Sequence, residues 1–168
     1  MEIPLTSPFK SLKSLDNFVP TIKVDSREQT PLPFSRLQAV RGTLTTGDYS
    51  VVGLESLFAV ERKSVSDLAG CCGQDRERFE RELHRLRGFR FKRLLIVGTE
   101  DDLLAGRYRS AIQPQAVLAT LGAFEARYDL PVVYKATPEL AARQIESWAY
   151  WFTREQLREV VSLLKPNI

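Results

Sequence analysis

Glu61, Arg62 and Lys63 close the apolar run Leu57-Phe58-Ala59-Val60, downstream of Gly47-Asp48-Tyr49. Successive side chains of a strand alternate faces, so Glu61 and Lys63 point the same way. Asp48 joins them if the two segments pair as neighbouring strands. Two carboxylates can hold a divalent cation, and a lysine beside them can orient a water and stabilise developing negative charge. That chemistry suits hydrolysis of a phosphodiester.

Each of these residues also has a plainer reading. Asp48 follows a glycine and fits a turn aspartate that bonds its own backbone. Glu61, with Phe58 and Val60 on the opposite face, is expected to be partly buried, and a buried charge needs a metal or an ion-pair partner such as Lys63. Arg62 points away from both, either supporting the site from behind or binding a phosphate by its fork. Its backbone carbonyl is a candidate metal ligand. Asp25-Ser26-Arg27-Glu28 ends the first predicted strand, and strand ends are where α/β sheets display functional groups. Asp25 and Glu28 are candidate metal ligands there and Arg27 a phosphate contact, unless the segment is only a polar loop start. Asp67, three residues after Ser64, fits a helix N-terminal carboxylate as well as a supporting role at the site.

Net charge is only +3, but eight Lys/Arg against three Glu lie between Arg76 and Arg93. A basic segment on a near-neutral body points to a polyanion, with Arg76, Arg81 and Arg85 as candidate phosphate contacts. The alternative is a solvated helix face laced with pairs such as Glu77–Arg81 and Arg78–Glu82. His84 is the only histidine, which excludes nucleases built on paired histidines. Cys71 and Cys72 are adjacent and no C-x-x-C pair exists, which argues against a zinc knuckle. There is no G-x-x-x-x-G-K-[ST] loop and no G-x-S-x-G elbow. No apolar run approaches the roughly 18 residues of a membrane helix. The N-terminus has no apolar signal-peptide core, so the expectation is an intracellular protein, cytoplasmic if bacterial or phage-encoded.

The elements that must position these residues follow from pattern. Residues 1–20, with three prolines, read as a flexible arm, and residues 21–168 as one domain. Strands are expected at Thr21–Val24, Gln38–Leu44, Tyr49–Val52 and Leu57–Arg62, the last two as a hairpin. A helix opens at Ser64, is interrupted at Cys71-Cys72-Gly73, and resumes from about Asp75 to Arg87. A buried strand at Lys92–Val97 follows, parallel to a neighbour because a helix precedes it. Pro114 sits at the first turn of a helix carrying Val117, Leu121, Phe124 and Tyr128. Pro131–Tyr134 is the last strand. Pro138 opens a helix to about Phe152, and a further amphipathic stretch reaches Leu164. The fold class is α/β: a central mixed β-sheet flanked by α-helices.

Val24-Asp25-Ser26-Arg27-Glu28, Gly47-Asp48-Tyr49 and Glu61-Arg62-Lys63-Ser64-Val65-Ser66-Asp67 together resemble the nuclease domain of the XPF family of structure-specific DNA endonucleases. That family's signature is V-D-x-R-E, then G-D, then E-R-K-x-x-x-D, and all three blocks occur in order. The resemblance covers roughly residues 21–135 and implies a restriction-endonuclease-like fold. It implies that Asp48 and Glu61 ligate Mg²⁺, with Mn²⁺ as a substitute, and that Lys63 serves the attacking water. Asp25 and Glu28 would complete the acidic cluster, supported by Arg62 and Asp67. The implied partner is DNA, cut at flaps, forks or junctions in repair or recombination. The alternative is an inactive nuclease-fold module that binds DNA or protein. Residues after Tyr134 lack the glycine-rich hairpins of the tandem helix-hairpin-helix domain that many members carry, so the chain resembles the compact stand-alone members. Nuclease domains of the family often pair. Ala141, Ile145, Trp148 and Phe152 form one apolar face, with Leu140 and Trp151 off it, and this predicts a homodimer through the C-terminal helices.

Overall fold

Alternation along one strand organises both faces of the molecule. In the computed structural model, which describes Leu15 and residues 17–164, β4 (Phe58–Ser64) sends Phe58 and Val60 into one core and Ala59 into the other. Five further strands complete the sheet: β1 (Ile22–Asp25), β2 (Ala39–Gly42), β3 (Tyr49–Val51), β5 (Phe91–Val97) and β6 (Val132–Lys135). Their order is β2-β1-β3-β4-β5-β6. β3 runs antiparallel to both β1 and β4, with Tyr49 opposite Val60, and every other pairing is parallel. The expected mixed sheet, the hairpin and the parallel placement of β5 are all present. The arm assigned to residues 1–20 lies largely outside the described residues.

Four helices cover the Ala59 face: α1 (Val65–Cys72), α2 (Arg76–Leu86), α3 (Glu100–Leu104) and α4 (Pro114–Tyr128). Leu68, Phe79, Leu83, Leu94, Ile96 and Phe124 interlock beneath them without solvent contact. The expected stripe of Val117, Leu121, Phe124 and Tyr128 is buried in that core. α3 was missed because it is short; its signal is the capping box in which Thr99 and Asp102 bond each other's backbone.

The opposite face is covered by a single helix, α5 (Pro138–Leu164), of 27 residues. The expected break after Phe152 is absent, because no Gly or Pro occurs before Pro166 to end the helix. Ala141, Ala142 and Ala149 bring α5 close to the sheet, and Phe58 stacks on Phe91 at 4.5 Å with Phe152 leaning on both. Buried Glu146 then ties in a distant loop. Its Oε1 accepts the N–H groups of Ser35, Arg36 and Leu37 at 2.8, 2.6 and 3.1 Å. Among the described residues, no helix is long and apolar enough to cross a membrane.

Candidate active site

Backbone pairing brings three sequence-distant segments to one point. The Asp25 amide donates to the Asp48 carbonyl at 2.8 Å, and the Asp48 amide donates to the Val60 carbonyl at 2.9 Å. Gly47 makes this approach possible. Its φ is +79°, and an added Cβ would sit 3.1 Å from the Val60 oxygen. β4 then runs straight into α1, where Ser64 caps the helix by accepting the Asp67 N–H.

Glu61 and Lys63 share the Ala59 face, as their spacing predicts, and Lys63 Nζ lies 2.6 Å from Glu61 Oε1. Glu61 is only 5% exposed. Burial first, and the Asp48 charge second, push its carboxyl up to about 7. Burial likewise raises the Asp48 carboxyl, against the hydrogen bond its Oδ2 accepts from the Arg62 amide at 2.8 Å. For Lys63, burial opposes the charge, but Glu61 outweighs it and holds the ammonium above the usual lysine range. Asp48, Glu61 and Lys63 line one recess of about 180 Å³ with Arg27, Glu82 and Arg85.

Two expected carboxylates have their oxygens already committed. Asp25 is 2% exposed, and its two oxygens accept from the Arg27 amide and guanidinium and from the Leu44 amide, at 2.7 to 3.2 Å. The Arg27 hydrogen bonds hold its carboxyl down to about 2. Both Glu28 oxygens accept from Arg62 Nη2 at 2.8 and 2.9 Å, and Oε1 also takes the Thr30 amide. In this arrangement Asp25 and Glu28 anchor Arg27 and Arg62, with Asp25 lining the recess and Glu28 the larger cleft. Arg62, on the opposite face, pairs with Glu28 through Nη2, while its buried Nε has no hydrogen-bond partner among the described residues and the residue lines the larger cleft. Asp67 closes the α1 cap by accepting from Ser64 Oγ at 2.8 Å, and it also lines the larger cleft.

That larger cleft, about 640 Å³, adjoins the recess, and Arg27, Asp48 and Lys63 line both. The Arg27 side chain is 72% exposed at its rim. On α2, Arg78 lines the larger cleft and Arg85 the recess. Their seven-residue separation places them on one helical face. Arg76 and Arg81 fall elsewhere. Arg76 pairs with Glu80 at 3.1 Å and lies over the Phe124 ring, and Arg81 lines an outer groove beside His84 and Tyr128. Arg85 and Arg78 thus border the recess and the cleft, which Arg76 and Arg81 do not line, and Arg85 also borders the outer groove beside Arg81. The expected pairs Glu77–Arg81 and Arg78–Glu82 are replaced among the described residues by Arg76–Glu80 and Arg78–Asp75. Position within the 3.6-residue period sets Arg76 apart from Arg78 and Arg85, once the buried stripe Phe79, Leu83 and Leu86 is known.

A family model for the ERCC4 domain matches residues 24–147, a span that contains every residue of this site. The chain belongs to the ERCC4 domain family. Among solved structures it is similar to XPF from Aeropyrum pernix, with a TM-score of 0.63 and 26% identity over 77% of this chain and 60% of that one. The same XPF in complex with DNA gives a TM-score of 0.65 at 26% identity, over 81% of this chain and 66% of that one. The ERCC4 chain therefore spans about three fifths of that XPF chain, and its sheet and flanking helices are the restriction-endonuclease-like XPF nuclease fold. A search of curated protein sequences finds no match.

Among the described residues of this ERCC4 domain, no group of three or more His, Cys, Asp or Glu is arranged as a metal cluster. What the site does offer is a pair. Asp48 Oδ1 and Glu61 Oε2 receive no hydrogen bond among the described residues, and the Asp48 charge raises the Glu61 carboxyl. Two half-satisfied oxygens that repel each other are a donor set suited to a hard divalent cation.

Proposed function

We propose that this ERCC4 domain is a divalent-metal-dependent DNA endonuclease that hydrolyses phosphodiesters at branched, flap or junction structures in repair or recombination. The observation that carries the reading is the convergence of Asp48, Glu61 and Lys63 in one recess that Arg27 and Arg85 also line, with Arg78 on the adjoining cleft. The DNA complex of the similar XPF supports the choice of polymer. Asp48 and Glu61 would hold Mg²⁺, or Mn²⁺ in its place, and the bound ion would supply Lewis-acid polarisation of the phosphoryl group. Lys63, kept charged by its carboxylate neighbour, orients the attacking water and stabilises negative charge on the phosphoryl oxygens. Arg27, fixed by Asp25, and Arg85 grip phosphates beside the scissile bond. Arg62 donates its amide to Asp48 and so orients that carboxylate.

A second reading, a nuclease-fold module that binds without cutting, draws on one observation: Asp25 and Glu28 are committed to arginines, and no third carboxylate completes a metal cluster. The test is incubation with Mg²⁺ or Mn²⁺ and labelled duplex, single-stranded, flap, fork and four-way-junction DNA, with Glu61→Gln alongside. Cleavage by the native protein alone supports the nuclease. DNA bound but uncut by both supports the module.

A homodimer through α5 is part of the proposal, since Trp151 is 57% exposed, with Leu140 and Tyr150 also on the surface. A concentration-independent monomer mass in light scattering removes it.

A further inference from the structure

We propose that Glu82 is a positioning residue that draws the Lys63 ammonium off Glu61 when a divalent cation binds, freeing Glu61 for the ion and keeping Lys63 at the reacting phosphate. The inference rests on the metal-dependent reading above and assigns a role to a residue that the site motifs do not include.

The geometry poses a conflict that Glu82 resolves. Lys63 Nζ sits 2.6 Å from Glu61 Oε1, on the carboxylate that would face the cation. An ammonium so placed competes with a divalent ion for that carboxylate, because like charges a few ångströms apart repel. Lys63 cannot leave through the sheet, since its backbone is held in the β4–β5 ladder opposite Ile96. Nor does it have partners on the far face, where Arg62 and Glu28 are engaged with each other.

What remains is the α2 side. Glu82 Oε2 lies 3.9 Å from Lys63 Nζ, and no other carboxylate besides Glu61 pairs with Lys63 among the described residues. The Phe79 ring of the same helix lies 5.4 Å from the ammonium and offers it a π face. Glu82 is free to receive it: its side chain is 29% exposed and forms no hydrogen bond among the described residues, its one ion pair being this long contact. Arg78, four residues earlier on the same helix, is turned to Asp75 at 3.8 Å and does not compete. A short rotation of the lysine stem therefore exchanges a 2.6 Å partner for one now at 3.9 Å, with the charge never unpaired.

Without Glu82, Lys63 has Glu61 as its only ion-pair partner among the described residues and competes with the cation for it. The experiment is Mn²⁺ binding followed by electron paramagnetic resonance and calorimetry. Four proteins are compared: native, Glu82→Gln, Lys63→Met and the double variant, with metal-free melting temperatures confirming that all four fold. Glu82→Gln is expected to weaken Mn²⁺ binding roughly fivefold, the scale of a partly exposed ion pair. In the Lys63→Met background the same substitution is expected to do almost nothing, because the competitor is gone. In cleavage assays Glu82→Gln should lower kcat with little change in the KM for DNA. Native-like Mn²⁺ affinity in Glu82→Gln overturns the proposal. So does an equal loss in both backgrounds, which would make Glu82 act on the ion directly. If the native protein binds no Mn²⁺, the metal-dependent reading itself falls, and this inference with it.

Discussion

Asp25→Asn separates an anchoring carboxylate from a metal ligand. Asp25 is buried, and its oxygens take the Arg27 amide and guanidinium and the Leu44 amide. Asparagine keeps one acceptor but turns a donor toward another donor, leaving a buried N–H or part of the guanidinium unpaired. The magnitude follows from the carboxyl's position: its fall from 3.8 to about 2 corresponds to ~2.5 kcal/mol of native-state stabilisation at neutral pH. Arg27 is 72% exposed, so solvent screens its share, and the expected loss is about 2 kcal/mol. For a chain of this size that lowers Tm by about 4–8 °C. The sign with pH is fixed by a depressed folded-state value. The stabilisation is fully present above the unfolded value of 3.8 and disappears as pH falls through about 2, so native protein and variant converge in acid. Urea unfolding from pH 7 down to pH 2.5 measures this, and Mn²⁺ calorimetry at pH 7 runs beside it. The anchoring argument requires lost stability with Mn²⁺ affinity retained within about threefold. Unchanged stability with Mn²⁺ binding abolished would refute it and return Asp25 to the ligand set.

Other outcomes follow from the same geometry. Glu61 has a folded-state value raised to about 7 from 4.5, so the metal-free protein should lose stability as pH rises from 4.5 through 7, and added Mg²⁺ should raise Tm more at pH 8 than at pH 5.5; a metal effect independent of pH would count against the carboxylate pair. Arg78→Ala and Arg85→Ala should each lower the salt slope of DNA binding by about 1, whereas Arg76→Ala should leave it unchanged, as read by fluorescence anisotropy over a salt series. Glu146→Ala leaves the amides of Ser35, Arg36 and Leu37 without their acceptor and should cost about 3 kcal/mol in urea unfolding, while Mn²⁺ affinity is kept.

Local rules made much of the molecule readable. Alternation in β4 is enough to put Glu61 and Lys63 on one face and Arg62 on the other, and Gly47 marks a backbone turn that a side chain would obstruct. The helix stripe Val117, Leu121, Phe124 and Tyr128 needs only the 3.6-residue period. α5 was expected as a helix to about Phe152 and a further amphipathic stretch to Leu164, yet an unbroken run of helix-compatible residues continues the backbone hydrogen bonding between them.

The sequence by itself determined the chemistry available: which residue types exist, their spacing along a strand, and hence the Asp48, Glu61 and Lys63 constellation. The shared face of Glu61 and Lys63 follows from a periodicity that acts over a few residues, and Asp48 joins them through the pairing of neighbouring strands. Only the tertiary structure decided how the charges divide. Asp25 meets Arg27 and the Leu44 amide, Glu28 meets Arg62 across 34 positions, Glu146 meets a loop 109 to 111 residues away, and Glu82 turns to Lys63. A carboxylate's role depends on which donor reaches it first in three dimensions, and strand order and helix packing set that, not sequence spacing.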